Sequence, residues 1–412
     1  MKKTALTTIF IVLCTVGTYG YDVCVDGLFY NLRGNSAVVT HSVPYINPQL
    51  DGDAYTQDTI IIPEKIVYEG REYTVDEVGD SAFFSAVGPV SHISVPSTVT
   101  RVGRSAFRHM VNLKSISLPS SLKEMGDCTF WGSQKLEAVD IPSGIKEIPP
   151  YAFCNIKKME SVTIPEGITG IGEFAFQINY MKNITLPSSL KRIEMGAFSQ
   201  SANLKSISIP EGVEFIGKGM FFYCPRLMEV NLPTTLTYLG DSAFFECGSL
   251  ESIVLPPNLK ELKSKTFYFC SALKHVELPE NLERIEDLAF NCCHFDEIVI
   301  PASVTFIGEK AFYNAGPLNK IYNYKTVPTE ITENVFSVYN TLHVVKGCGD
   351  SYRAALNWKN FTVVDDLEPA GISTVKAGAQ TRAESWYDLQ GRQVTRPEKG
   401  RIYIHDGRKV VK

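Results

Sequence analysis

One phrase of about 23 residues recurs along this chain, and no other feature limits the possible folds so strongly. It is plainest as LKSISLPSSLKEMGDCTF, from Leu113 to Phe130. It returns as MESVTIPEGITGIGEFAF, LKSISIPEGVEFIGKGMF and LESIVLPPNLKELKSKTF. Two landmarks set the register. An apolar-Pro pair recurs at Pro63, Pro96, Pro119, Pro142, Pro165, Pro187, Pro210, Pro233, Pro256, Pro279 and Pro301, with an echo at Pro328. A phenylalanine follows each, at 83, 107, 130, 153, 176, 198, 221, 244, 267, 290, 312 and 336. From Pro96 to Pro301 the step is always 22 or 23 residues.

Each repeat divides into three parts. In Ser115-Ile116-Ser117-Leu118-Pro119 the alternation marks a strand with Ile116 and Leu118 inward and the serines outward. Proline, which has no N–H to donate, ends the ladder. A second short apolar edge follows, as in Val213-Glu214-Phe215-Ile216-Gly217. Glycines 103, 126, 172, 217, 240 and 308 are expected there in a turn conformation that other residues resist, although Pro149, Glu194, Lys263 and Glu286 stand at the same place elsewhere. The third part is the Ala-Phe turn. Burying one phenylalanine contributes up to about 3 kcal/mol, so the recurring aromatic is the main stabilising feature.

A length of 412 residues would ordinarily imply two or three domains, but a solenoid grows by stacking. The chain opens with Met1-Lys2-Lys3, an apolar run from Ile9 to Leu13, and small residues at Thr18 and Gly20. This reads as a signal peptide over residues 1–20, cut near Gly20, and hence as a secreted or outer-surface protein. Cys14 also admits a lipidated form. No later stretch is apolar for the 18 or so residues a membrane helix needs. Residues 21–61 hold the hairpin pattern DGLFYNLRGNSAVVTHS around Arg33-Gly34-Asn35 and read as an N-terminal β cap. Glu69-Gly70 marks a second small hairpin. Repeats fill residues 62–341, a C-terminal cap 342–365, a Gly/Ala/Ser/Thr linker 366–384, and a short basic β tail 385–412.

Nothing in the sequence has the spacing of a catalytic or cofactor site: there is no GxSxG, HExxH, Walker or GxGxxG pattern. No enzyme activity, cofactor or metal is expected. Asp51-Gly52-Asp53 lacks the further oxygens of a calcium loop. The net charge of -5 argues against a nucleic-acid partner. Cys224, Cys247, Cys270 and Cys293 fall three residues after the repeat phenylalanine and 23 apart, so they should stack. Strand neighbours about 4.8 Å apart put their Cβ atoms further apart than a disulfide prefers. They read as buried thiols acting as small hydrophobes.

The outward strand positions vary. Ser94, Ser117, Thr163, Thr185 and Ser208 make the early rungs small and polar. From Val254 onward the face turns mixed, with His275, Glu277, Glu297, Val299, Tyr322 and Tyr324. Exposed apolar residues rimmed by charge mark binding patches, so these seven residues are the candidate contact site.

The repeat resembles the BspA-like leucine-rich repeats, of the form IPxxVxxIGxxAFxxCxxLxxI, over Ile62 to Asp365. LHVVKGCGDSYRAALNWKNFTVVDDL resembles that family's closing unit, with Tyr352, Ala355, Trp358 and Phe361 covering the last rung and Val345 where a proline is usual. The tail phrase YDLQGRQV and its closing basic residues resemble the end of a type IX secretion sorting domain. These resemblances imply a β-rich, α/β-type leucine-rich-repeat solenoid winding as a right-handed superhelix, with an N-terminal hairpin cap and a small C-terminal β tail. They imply an adhesin, a monomer, that binds protein partners on host or bacterial surfaces. Glycan capture for polysaccharide uptake and a ligand-free envelope role stand as alternatives.

Overall fold

A computed structural model describes residues 20–41, 55–86 and 88–369, together with the backbone of four short strands between 386 and 411. The leader with Cys14, the Asp51-Gly52-Asp53 segment and most of the linker lie outside the described residues. The chain divides into two units, Met1–Glu368 and Pro369–Lys412.

The first unit is a β solenoid, as the repeat predicts. The x-Ile-x strands stack in parallel along one side, the front. In its clearest stretches Ser206–Ser208 pairs with Glu229–Asn231, and Ser252–Val254 with His275–Glu277. The two-residue edges form a second ladder, with Arg192, Phe215 and Tyr238 opposite one another in successive rungs. The front hydrogen bonding falls into short groups: four strands from Thr59 to Val139, three separate pairs between Ser161 and Glu277, and a final group of four from Glu297 to Leu367. A three-residue strand closed by proline makes few ladder bonds, so small changes in rung tilt open the gaps.

The turn is the third hydrogen-bonded side. Phe83 N donates to Ala106 O (2.8 Å), Phe107 N to Thr129 O (2.9 Å) and Phe130 N to Ala152 O (2.8 Å). Two residues before and two after each of these phenylalanines the backbone is left-handed, as at Ser105 (φ 55°) and His109 (φ 58°), or Ser242 and Glu246 (both φ 56°). A non-glycine residue there costs roughly 1–2 kcal/mol. The inter-rung N–H···O bonds offset that cost, because a left-handed residue turns its N–H along the stacking axis.

This overturns the expectation for the recurring glycines. None of Gly103, Gly126, Gly172, Gly217, Gly240 and Gly308 has a positive φ. Their need is space: a Cβ at Gly126 would lie 2.4 Å from Arg104 N, and one at Gly217 2.5 Å from Met195 N. At these glycines the chain passes so close to the preceding rung that only hydrogen fits. Pro149 in this place is buried, whereas the Glu194, Lys263 and Glu286 side chains join the second ladder's outer surface. Glu194 meets Arg192 at 3.1 Å, Glu286 meets Arg284 at 2.7 Å, and Lys263 pairs with Glu261.

Inside, the phenylalanines form a column from Phe83 to Phe336, with successive centroids 5.2–6.0 Å apart and planes within 23° of parallel. Tyr55 meets the first ring at 5.3 Å, and Phe361 meets the last edge-on at 5.2 Å. Trp358 and Tyr352 are wholly buried beside that end, their polar atoms donating to Thr329 O and Lys325 O. The hairpin Leu28–Arg33/Ser36–Thr40 forms where Gly34-Asn35 predicts, and Ser36–Thr40 runs parallel to Arg71–Val78. Lys65–Tyr68 turns back on Arg71–Val78 through Glu69-Gly70. Helix is confined, among the described residues, to Gly349–Ala354 and a short 3-10 turn at Trp358–Asn360. No helix among them is long and apolar enough to cross a membrane.

In the second unit, Trp386–Tyr387 pairs antiparallel with Gln393–Val394 and with Ile402–His405, which in turn pairs with Arg408–Val411.

Candidate ligand-binding face

Alternation points two side chains of each front strand outward. Ser115, Ile116 and Ser117 show the rule, exposed, buried and exposed in turn. Two outward rows therefore run along the ladder. Through the early rungs they carry mostly hydroxyls, and His92 Nδ1 lies 2.7 Å from Ser115 Oγ.

Of the seven predicted residues, Val254, His275 and Glu277 are exposed and neighbouring, with Val254 opposite Glu277 and Ser252 opposite His275. Val254 is 64% exposed. Glu297, Val299, Tyr322 and Tyr324 are only half-buried and belong to the last sheet group, where Val299 faces Tyr322 and Glu297 faces Lys320. The two sets lie on consecutive rungs, but no continuous hydrogen-bonded ladder joins them. Their lower exposure has a cause in the rungs that follow. Thr341–Val345 and Thr362–Leu367 continue the front ladder, placing His343 beside Tyr322 and Val364 beside His343. The His343 ring stacks on Tyr322 at 4.8 Å, and its Nδ1 lies 3.0 Å from Asp366. Burial, with Tyr322 and Asp366 nearby, raises the Tyr324 hydroxyl above its ordinary pKa.

His343, Val364 and Asp366 were missed from sequence. Their rungs lack the proline landmark, and Asp366 fell beyond the boundary drawn at 365. A signal was present: Ile321, Leu342 and Val363 are each 21 residues apart and share one register. At the other end Ile61 stands in the same outward row as Ser94 and is 72% exposed, so the early face is not uniformly polar.

The thiols do more than fill space. Cys224, Cys247, Cys270 and Cys293 are buried, and each Sγ–H donates to the carbonyl of a phenylalanine one rung back, at 3.0–3.2 Å. Ser133 and Asn179 do the same for Phe107 and Phe153, at 2.7 and 3.0 Å. None of these four cysteines is in a disulfide. Among the described residues no group of three or more His, Cys, Asp or Glu is placed to hold a metal ion.

A parallel β ladder with an internal phenylalanine column and an open, mixed outer face defines a leucine-rich-repeat solenoid. The profile of the BspA type leucine-rich repeat region matches residues 76–205 and 191–319, in six copies, and the chain belongs to that family. A leucine-rich repeat protein from Bacteroides ovatus is similar over 84% of this chain and all of its own, at 25% identity and a TM-score of 0.55. The pneumococcal vaccine antigen PcpA aligns over 87% of this chain and 100% of its own, at 18% identity and a TM-score of 0.47. A leucine-rich cell surface protein from Faecalibacterium prausnitzii aligns over 76% of this chain and 96% of its own, at 22% identity and a TM-score of 0.38. No curated protein matches.

Proposed function

We propose that this chain is an exported surface adhesin, acting as a monomer, that binds a protein partner through the C-terminal third of its front face. The observation that carries this reading is Val254: a branched apolar side chain left 64% exposed beside the Glu277 carboxylate and the His275 ring, with further apolar and aromatic residues on the rungs that follow. Such a residue contributes binding energy once a partner covers it. Val299, Tyr322, Tyr324 and Glu297, joined by His343, extend the patch. Family membership supports a scaffold that presents a surface, and no enzyme family is among the matches.

Glycan capture is less well supported. Sugars stack on free aromatic faces, and one face of Tyr322 is covered by His343 at 4.8 Å. The exposed pair Phe215 and Tyr238 on the second ladder likewise stack on each other, at 4.9 Å and 7°. Capture of host matrix proteins, measured beside a glycan array, separates the readings. The adhesin reading expects matrix-protein capture that falls when Val254, Glu277 and Val299 are changed to serine. Unchanged capture by that variant, or binding confined to glycans, rejects it. Surface labelling of intact cells tests export.

A further inference from the structure

We infer that the partner segment received by this face is cationic: an extended polypeptide carrying lysine or arginine beside apolar residues. The inference rests on the adhesin reading above and specifies its ligand. It comes from the unequal treatment of carboxylates on the two ladders.

On the second ladder outward carboxylates are neutralised by the chain itself. Arg101 pairs with Glu77 and lies 3.6 Å from Glu124. Arg192 holds Glu147 at 2.7 Å and Glu194 at 3.1 Å. Lys263 pairs with Glu261, and Arg284 with Glu286 at 2.7 Å. That side needs no outside counter-charge.

The front face differs: among the described residues Asp140 and Glu229 on earlier rungs already lack an ion pair, and from Val254 onward such carboxylates stand among apolar side chains. Among the described residues Glu277 and Glu297 enter no ion pair within 4.0 Å, although Lys320 is the register partner of Glu297. Asp296 accepts a neutral amide from Asn319 at 2.8 Å, and Asp366 meets His343. Lys274 and Lys320 also lie on this part of the face, so acidic groups outnumber basic ones without being matched by them. On either side of Glu277 in its outward row, Val254 is exposed and Val299 half-exposed. Unpaired carboxylates alternating with apolar side chains complement a segment that alternates cationic and apolar residues. Opposite potentials speed encounter and reject like-charged partners. Salt screens such attraction over about 8 Å at physiological strength, so affinity should fall as salt rises.

The test uses the full mature chain and two labelled peptides, one of alternating lysine and valine and one of alternating glutamate and valine, read by fluorescence anisotropy. The lysine peptide should bind, and weaken steeply from about 50 to about 300 mM NaCl. The variant Glu277→Gln with Glu297→Gln should lose about tenfold in affinity and most of the salt dependence. Val254→Ser should lose affinity and keep the salt dependence. Glu124→Gln with Glu147→Gln, which changes net charge equally on the other ladder, should bind as the parent does. No binding of the lysine peptide overturns the inference. So does equal binding of the glutamate peptide, or equal weakening by the two double variants, which would mark a general charge effect. Matrix-protein capture that depends on Val254 and ignores both glutamates would sink the cationic ligand while leaving the adhesin reading in place.

Discussion

Arg192 reaches past a whole rung to Glu147: its Nη2 lies 2.7 Å from Glu147 Oε1, and Gly170 sits between them. A Cβ at Gly170 would stand 3.3 Å from the guanidinium carbon and 3.4 Å from the Glu147 carboxyl carbon. The missing side chain is what lets the pair close. Here glycine leaves room for side chains. At Gly126 it leaves room for backbone, 2.4 Å from where its Cβ would be.

That contrast predicts two different alanine effects. Gly170→Ala trades a surface ion pair for reduced freedom of the unfolded chain, and should stay within about 1 kcal/mol of the parent. Gly126→Ala must push two rungs apart and should cost about 1–3 kcal/mol. Urea denaturation of both variants measures the difference, and equal losses would contradict the packing argument.

The aromatic column predicts a steep cost at its centre. Phe244 is wholly buried between Phe221 at 5.5 Å and Phe267 at 5.2 Å. Phe244→Ala should destabilise by about 3–5 kcal/mol, whereas Phe215→Ala, on the exposed second ladder, should cost under about 1 kcal/mol. Thermal melts followed by circular dichroism compare them.

The thiol column predicts selective reactivity. Burial pushes the Cys247 and Cys293 thiols well above their ordinary pKa, while Cys24 is exposed. Since the thiolate is the reactive species, a thiol-reactive dye should label Cys24 in the native chain and reach Cys224, Cys247, Cys270 and Cys293 only on unfolding. Cys247→Ser keeps a donor for Phe221 O, as Ser133 does for Phe107 O, and should cost less than Cys247→Ala. The alanine variant leaves that carbonyl without its donor, at about 1–3 kcal/mol. Mass spectrometry of the labelled chain and melts of the two variants check both statements.

Acid should act through Glu166. Glu166 accepts hydrogen bonds from Ser188 N at 2.9 Å, Ser188 Oγ at 3.1 Å and Ser189 N at 3.2 Å, and these lower its pKa. A carboxyl whose folded pKa is depressed contributes stability above its unfolded value of about 4.3, lost as pH falls through the folded value. The stability gap between the parent and Glu166→Gln should therefore be present at neutral pH and close in acid. A gap that widened as pH fell would contradict these bonds. Glu211 accepts from Thr234 N and Oγ1 with the same geometry, both at 3.0 Å.

Much of this was legible in the residues. The strand alternation, the phenylalanine column and the hairpin at Gly34-Asn35 all follow from local pattern, because a repeated turn places like residues above like. The candidate face was legible in part. Val254, His275 and Glu277 stand out in the sequence because they break a regular row of small polar residues, and the structure leaves all three exposed. His343 and Asp366 were hidden because the repeat loses its proline there.

Sequence alone determined that the chain stacks, and which side chains face in. A 22- or 23-residue unit cannot bury its apolar face alone and must pack it on its neighbours. Tertiary structure alone decided how near successive rungs lie, and that spacing sets the rest. It makes Gly126 a matter of room rather than of φ, turns the buried cysteines into donors, and closes Arg192 on Glu147. It also leaves Glu277 and Glu297 without a counter-charge, since ion pairs depend on distances between rungs that no single repeat encodes.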